Sequence, residues 1–440
     1  MAFPKDFLFG TATASAQVEG GGFEDGRGAS IWDAFAEKAG AIADGLKPSR
    51  ACDSYHRFER DIANMKFLGC DTYRMSISWG RVLPEGTGAL NEKGMDYYRR
   101  CFDKLNENGI APNVTLYHWD LPQALEEKGG WVNRDCPYRF AEYADRMFRA
   151  FGDVVPMWVC VNEPIATYVG YALGIFAPGY TDRKKGNQAR HNVMTAAGAG
   201  VEAFRQSGAK GKVGHVIDIW KRFPFEQTAE DIALARDEDE ENWKFYTDRL
   251  LGGGYSPYIL EKFAKEGVLP DMQPEDFRLS SLPVDFYGMN YYDTVTVNAG
   301  DPHALSAENG GNFADTRGRK HPERIGQILK MIVDRYDLKI PLYISENGYA
   351  DGMDLPSADG KYHDSARIAY LEKALASVEQ AIGEGLPIKG YYLWSLMDNF
   401  EWCAGGQSQL GLFHTDFDTF ETVPKDSAFW YRDFIRAARG

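Results

Sequence analysis

Eight short apolar runs that alternate with helical patterns along the chain constrain its possible folds more than any other feature. The runs are the candidate strands 7–17, 72–79, 112–119, 155–163, 212–219, 285–292, 342–346 and 390–398. Between them, apolar side chains recur every three or four residues, as in 95–105, 140–151 and 368–382, which is the period of an amphipathic helix. Strands that alternate with helices in this way predict parallel βαβ units.

The number of these units predicts the architecture. Eight strands without a Pro- or Ser-rich linker favour an α/β fold, a single (β/α)8 or TIM barrel that forms one domain over residues 1–440. Two adjacent doubly wound sheets are the alternative. The segment 299–320, rich in Gly, Asp and Asn, is expected to form an extended loop at the C-terminal mouth of the barrel. The acidic run 237–241 is expected to be a solvated helix face.

Charge and composition argue against several classes of function. The chain carries 49 basic and 64 acidic residues, a net charge of −15, so nucleic acid is not an expected partner. No run of about 20 apolar residues is present and no secretion signal is visible, so we expect a cytoplasmic protein without a membrane span. The six cysteines lack disulfide or zinc spacing, and no phosphate-binding loop or dinucleotide fingerprint occurs. We therefore expect no metal and no other cofactor.

Two glutamates follow apolar runs at positions where a barrel enzyme carries its working residues. Glu163 stands in Asn-Glu-Pro after the fourth run, and Glu346 stands in Ser-Glu-Asn-Gly at the end of the seventh. Taken singly, each carboxylate is more often a hydrogen-bonded acid of the core. As a pair at the mouth of one barrel, they are candidate catalytic groups.

The ends of the other runs carry side chains that suit a sugar. Amide, imidazole and carboxylate groups bind hydroxyl groups, and aromatic rings stack on the C–H faces of a sugar ring. Such groups are Gln17, His118, Trp119, Asn290, Tyr292, Trp394, Glu401 and Trp402. Their convergence predicts a monosaccharide pocket, whereas Trp32, Trp158 and Trp430 are expected to pack in the core.

The same residues belong to motifs that resemble those of a known family and occur in its order. The motifs are FLFGTA at 7–12, QVEG at 17–20, YRMSISW at 73–79, LYHWDLP at 116–122, VNEP at 161–164, GMNYY at 288–292, YISENG at 343–348, LWS at 393–395 and DNFEW at 398–402. The chain therefore resembles glycoside hydrolase family 1, the β-glucosidase and β-galactosidase group, over nearly all of its length.

The resemblance implies a retaining mechanism in which Glu346 is the nucleophile and Glu163 is the acid/base. Repulsion between the two is expected to keep Glu163 protonated while Glu346 is ionised. Arg74 and Asn290 would support the nucleophile, and Tyr292 would hydrogen-bond it. The sugar-binding residues that the resemblance implies are Gln17, His118, Trp119, Asn162, Tyr292, Trp394, Glu401 and Trp402.

Departures from the family pattern bear on the substrate. In the pattern of family members that bind 6-phosphosugars, the corresponding positions carry Ser, Lys and Tyr. Here these positions are Glu401, Ser408 and Leu410, so we expect an unphosphorylated sugar. Leu410 also replaces a usual aromatic residue near the C6 group of the sugar. The stretch 315–322 lacks the Gly-Trp that forms an aglycone platform in many members.

The leading hypothesis is a β-glucosidase that hydrolyses terminal sugars from a small-molecule or oligosaccharide β-glycoside. Transglycosylation at the same site is one alternative, and β-galactosidase or β-fucosidase specificity is another. A catalytically silent sugar-binding protein is the remote alternative. The sequence is also compatible with a homo-oligomer.

Overall fold

Eight parallel strands close into a barrel at the centre of the computed structural model, which describes residues 3–300, 320–350 and 354–440. The strands in the described residues are β1 Leu8–Ala12, β2 Thr72–Ser76, β3 Ala111–Tyr117, β4 Met157–Asn162, β5 Lys212–Asp218, β6 Arg222–Pro224, β7 Phe286–Asn290, β8 Val295–Val297, β9 Leu342–Asn347, β10 Ile388–Trp394, β11 Phe413–Thr415 and β12 Thr422–Pro424. Strand β10 closes the barrel onto β1, while β6 pairs with β8 and β11 with β12 outside it. The predicted (β/α)8 barrel is confirmed, and the two-sheet alternative is excluded.

Helices connect successive strands of the barrel. In the described residues they are α1 Ser15–Val18, α2 Ile31–Ala36, α3 Ser54–Leu68, α4 Trp79–Val82, α5 Glu92–Glu107, α6 Gln123–Glu126, α7 Cys136–Phe151, α8 Ile165–Ala172, α9 Arg183–Ser207, α10 Ala229–Glu241, α11 Trp243–Leu250, α12 Pro257–Lys265, α13 Pro274–Ser280, α14 Ile325–Tyr336, α15 Ser365–Gly383 and α16 Asp426–Arg439. The three predicted helical patterns correspond to α5, α7 and α15. Among the helices of the described ranges, none is both long and apolar enough to cross a membrane.

Aromatic side chains fill the layer between the barrel and its helices. Trp158 on β4 is fully buried and meets Phe148 on α7 edge-on, with 5.0 Å between ring centroids. Trp32 is buried in the same core, and the partly buried Trp430 packs against this core. All three tryptophans predicted to pack therefore contribute to the core.

The observed strands end earlier than the predicted runs. Gln17 was expected at the end of the first strand, but β1 ends at Ala12 and Gln17 lies on α1. Likewise, His118 and Trp119 follow β3 rather than belong to it. The predicted runs are too long because the connections at the mouth are themselves buried. Their apolar residues continue the strand pattern beyond the last hydrogen bond between neighbouring strands.

The prediction of a solvated face for 237–241 is wrong for two of its acids. Asp239 is only 3% exposed, and it accepts hydrogen bonds from the Arg222 backbone N–H at 2.9 Å and the indole N–H of Trp243 at 2.8 Å. Glu240 is also buried and pairs with Lys244, 3.0 Å away. Part of this acidic run therefore ties α10 to β6 and α11, which periodicity within one helix does not reveal.

Candidate active site

One cavity opens at the carboxyl ends of the barrel strands, and both predicted glutamates line it. Glu346 lies on β9 and Glu163 directly follows β4; both carboxyl-bearing residues are more than nine-tenths buried. The other predicted residues that line the cavity are His118, Trp119, Tyr292, Trp394, Glu401 and Trp402. The remaining four, Gln17, Arg74, Asn162 and Asn290, each hydrogen-bond a residue of that lining. The structure thus brings all twelve predicted residues together.

The carboxyl group of Glu346 has a charged and a neutral donor. Arg74 Nη1 contacts Glu346 Oε1 at 2.5 Å, and the Tyr292 hydroxyl donates to Oε2 at 2.8 Å. Burial raises the pKa of Glu346, while the Arg74 charge and the Tyr292 hydrogen bond lower it in part. These two donors therefore favour the ionised form of Glu346, relative to a buried carboxyl group that lacks such donors.

Glu163 has the opposite surroundings. Asn290 Nδ2 donates to Glu163 Oε1 at 2.5 Å, and no cation contacts the carboxyl group within the described residues. Burial raises the pKa of Glu163 well above its ordinary value, and the negative charges of Asp218 and Glu346 raise it further. The two carboxyl groups therefore differ in the way required of an acid and a nucleophile.

Three residues of the cavity have left-handed backbone conformations. The φ angles are +72° at Trp119, +42° at Glu163 and +51° at Trp402. Such conformations cost roughly 1–3 kcal/mol each and persist where surrounding contacts impose them. The indole N–H of Trp119, for example, donates to the Asn162 carbonyl oxygen at 3.0 Å. Contacts such as this one hold the side chains in place at the cavity.

The polar groups on the far side of the cavity form a second network. Gln17 Nε2 donates to Glu401 Oε2 at 3.2 Å, and Asn162 Nδ2 contacts His118 Nε2 at 3.1 Å. Burial and the Arg74 charge hold the pKa of His118 far below its ordinary value, so the imidazole is neutral. Burial raises the pKa of Glu401 to about 8. In the described part of the chain, Gln17 Oε1 and His118 Nδ1 are buried atoms without a hydrogen-bond partner.

Several lining residues were missed in the sequence. Asp218 ends β5, so the rule that selected Glu163 and Glu346 could have selected it too. Trp220 follows it, and its ring lies nearly parallel to that of Tyr292 with 6.3 Å between centroids. The apolar wall carries no motif that would have identified it; its members are Ile165, Ala166, Val169 and Phe176.

The two predicted departures differ in what the structure says of them. Leu410 is buried and lines the cavity, so the missing aromatic residue does affect its wall. The stretch 315–322, which lacks the Gly-Trp of the aglycone platform, and the expected extended loop 299–320 lie largely outside the described residues.

The whole chain is similar to a known group of enzymes. The family description "Glycosyl hydrolase family 1" matches residues 1–439. The beta-glucosidase A of Acetivibrio thermocellus is 41% identical over 444 residues, which cover 99% of this chain and 98% of that protein. The beta-glucosidase A of Thermotoga maritima is 40% identical, with 99% and 98% coverage. The solved family 1 b-glucosidase from Thermotoga maritima has a TM-score of 0.93 at 40% identity and 99% coverage of both chains. Sequence and structure thus agree that the chain belongs to glycosyl hydrolase family 1.

Proposed function

We propose that the chain is a retaining β-glucosidase that removes terminal, unphosphorylated, non-reducing β-linked sugars. The observation that carries this proposal is the unequal pair of buried carboxyl groups. Glu346 is held by the Arg74 guanidinium, while Glu163 faces like charges. The relatives named beta-glucosidase support the glucoside as the substrate.

In the first step, Glu346 attacks the anomeric carbon and the bond from that carbon to the leaving oxygen breaks. Glu163 gives its proton to the leaving oxygen, so the aglycone departs as a neutral alcohol. A glycosyl ester of Glu346 remains, and its formation removes the negative charge of that carboxylate.

In the second step, loss of that charge lowers the pKa of Glu163, which now acts as a base. Glu163 takes a proton from water, the water oxygen attacks the anomeric carbon, and the ester bond to Glu346 breaks. Two inversions at the same carbon give net retention, and Glu163 regains the proton that the next cycle needs.

The second network would bind the sugar. Gln17 Oε1 accepts from a sugar hydroxyl, His118 Nδ1 donates to one, and Glu401 accepts from others. Trp394 provides an apolar face against which the sugar ring packs. Asn162, fixed by Arg74 at 2.6 Å, addresses the 2-hydroxyl group.

Azide rescue tests the two roles separately. Glu346→Gly should lose almost all hydrolysis of an aryl β-glucoside, and added azide should restore product as the α-glucosyl azide, because azide enters from the vacated face. Glu163→Ala should give the β-glucosyl azide, because azide then attacks the glycosyl ester from the opposite face. Unchanged turnover by Glu346→Gly, or an α-glucose first product of the native enzyme by NMR, contradicts the proposal.

The sugar and the acceptor need separate measurements. A panel of aryl β-glucoside, β-galactoside and β-fucoside should show the highest kcat/KM for the glucoside; a higher value for another sugar replaces the proposed specificity. The apolar wall of the cavity favours organic acceptors, so transfer to an added alcohol is the second candidate activity. Free glucose as the sole product in the presence of the alcohol excludes it.

A further inference from the structure

A third carboxyl group lines the cavity beside the two glutamates. Asp218 ends β5 and is only 3% exposed. The Trp220 side chain hydrogen-bonds this carboxyl group, but Asp218 Oδ1 has no partner among the described residues. A buried polar atom without a partner is costly, so each such atom in a native structure calls for an explanation, and a role in catalysis is one of them.

The strand order places Asp218 next to the proposed acid. Strand β5 lies between β4 and β7. Asp218 is in register with Asn290 on β7, and Asn290 Nδ2 donates to Glu163 Oε1 at 2.5 Å. On the other side, the Glu163 backbone N–H donates to the carbonyl oxygen of Val216 on β5 at 3.2 Å. Asp218 and Glu163 thus face one cavity from adjacent strands.

We propose that Asp218 is a positioning residue for the proton of Glu163. The negative charge of Asp218 keeps that proton on Glu163 until the leaving oxygen takes it. Asp218 acts through Glu163 by repulsion between neighbouring like charges and does not itself meet the reacting atoms. This inference rests on the proposed acid role of Glu163.

The other groups around the pair determine the order in which protons leave. Those that interact with Asp218 or Glu163 are the cations Arg74 and Arg222, the anion Glu346 and the phenols Tyr246, Tyr287 and Tyr292. His118 and Glu401 line the same cavity. Burial raises the pKa of all three phenols, so they stay neutral.

Proton loss from Asp218 comes first. Burial and the Glu346 charge together raise the pKa of Asp218 to about 7. Burial and the charge of ionised Asp218 raise the pKa of Glu163 well above its ordinary value. Above pH 7, therefore, Asp218 is the anion and Glu163 retains the proton, which extends the acid form of Glu163 toward higher pH.

The pH profile of Asp218→Asn tests this order. Removing the charge lowers the pKa of Glu163, so the alkaline limb of kcat/KM for an alkyl β-glucoside should move to lower pH. A shift of about one pH unit corresponds to about a tenfold loss on that limb. With 2,4-dinitrophenyl β-glucoside, whose leaving group needs little protonation, the loss should be much smaller.

Asp120→Asn is the matched control. Asp120 is also a buried aspartate, burial raises its pKa to about 7, and its Oδ1 has no partner in the described residues. It is not among the groups that raise the pKa of Glu163. The alkaline limb should therefore stay in place in this variant.

Two further variants keep the test decisive. Asp218→Glu retains the charge and should retain the alkaline limb, while Asp218→Ser, a second neutral variant, should move it as Asp218→Asn does. An unmoved limb in the folded neutral variants, or an equal shift in Asp120→Asn, overturns the inference. Failure of the proposed function itself looks different, because the native enzyme would then hydrolyse neither glucoside.

Discussion

At the scale of single residues, one arginine links most of the site. Arg74 Nη1 contacts Glu346, and its Nη2 donates to Asn162 Oδ1 at 2.6 Å. The same charge also helps to keep His118 neutral. One guanidinium therefore holds the proposed nucleophile and the amide beside it, and its charge adds to the burial that keeps the imidazole neutral.

Replacing Arg74 should change the acidic side of the pH profile. The Arg74 charge lowers the pKa of Glu346, so Arg74→Met should raise that pKa and move the acidic limb of kcat/KM to higher pH. Loss of the donor should also lower kcat about 100-fold, the range seen when one preorganised donor is removed. The measurement is kcat/KM of an aryl β-glucoside between pH 4 and 9.

The control is Arg99→Met, which removes a surface arginine that pairs with Asp153 at 2.9 Å. It should leave both limbs where they are. An acidic limb that stays in place in Arg74→Met would show that Arg74 does not govern the ionisation of Glu346.

Glu401 should contribute to sugar binding. Burial raises the pKa of Glu401 to about 8, so the carboxyl group is largely neutral at pH 7, and loss of a neutral hydrogen bond costs about 0.5–1.5 kcal/mol. Glu401→Gln should therefore lower kcat/KM for the glucoside roughly 2- to 10-fold at pH 7. Glu37→Gln, at a side chain 65% exposed on the surface, is the control and should match the native enzyme. Steady-state kinetics of the two variants provide the comparison, and equal values for both would remove Glu401 from the proposed sugar site.

At the scale of elements, a buried ion-pair network anchors the loop that follows β10. This loop carries Glu401 and ends at Gly411, whose N–H donates to Asp398 Oδ1 at 2.9 Å. Lys425, which precedes α16, contacts Asp398 at 2.7 Å and Asp354 at 2.6 Å. Its side chain is fully buried, so the loop is held by charges that water does not screen.

Removing the cation of this network should destabilise the protein strongly. Lys425→Met removes the lysine from the fully buried Asp398 carboxylate and leaves Asp354 paired with Arg367, and loss of one partner of a buried pair costs about 3–5 kcal/mol. Urea unfolding should show a lower midpoint with an unchanged slope. Lys93→Met, which breaks a solvent-exposed pair with Asp25, should barely move the midpoint. Similar midpoints for both variants would contradict a structural role for the network.

The elements also show what the sequence could and could not predict. The barrel strands were predictable because both of their faces are buried, which gives continuous apolar runs. The ends of the strands were not predictable, since a buried connection such as the one that carries Gln17 has the same sequence pattern as a strand. Asp218 was within reach of the same rule, whereas burial of Asp239 depends on partners far away in the sequence or in the next helix. The pattern predicts which chain segments meet, but not which side chains find partners.

At the scale of the whole molecule, the last helix closes the structure against the first strand. The Tyr431 hydroxyl on α16 donates to the carbonyl oxygen of Gly10 on β1 at 3.1 Å. Tyr431 and Ile435 are fully buried, and the ring of Phe434 meets that of Phe9 edge-on. The single-domain boundary, the cytoplasmic location and a homo-oligomer stay predictions.

Removal of α16 should therefore affect the entire fold. Full burial of a large apolar side chain contributes about 1.5–3 kcal/mol. Exposing the apolar contacts between α16 and the barrel should therefore cost much of the free energy of unfolding, which is typically about 5–15 kcal/mol. A chain that ends at residue 424 should lose cooperative urea unfolding and glucoside hydrolysis. A chain that lacks only Gly440 should keep both. Cooperative unfolding of the shorter chain would show that the barrel closes without this helix.

The hydrogen bond between Gln17 and Glu401 joins residues 384 positions apart. At about 5–20 residues per second, a ribosome needs roughly 20–80 seconds to synthesise the intervening chain. Throughout that interval the nascent chain lacks at least Glu401 and Trp402 of its proposed sugar pocket, whatever the sugar concentration in the cell. Substrate can stabilise only what binds it, so it can protect the finished protein but cannot assist the chain during translation.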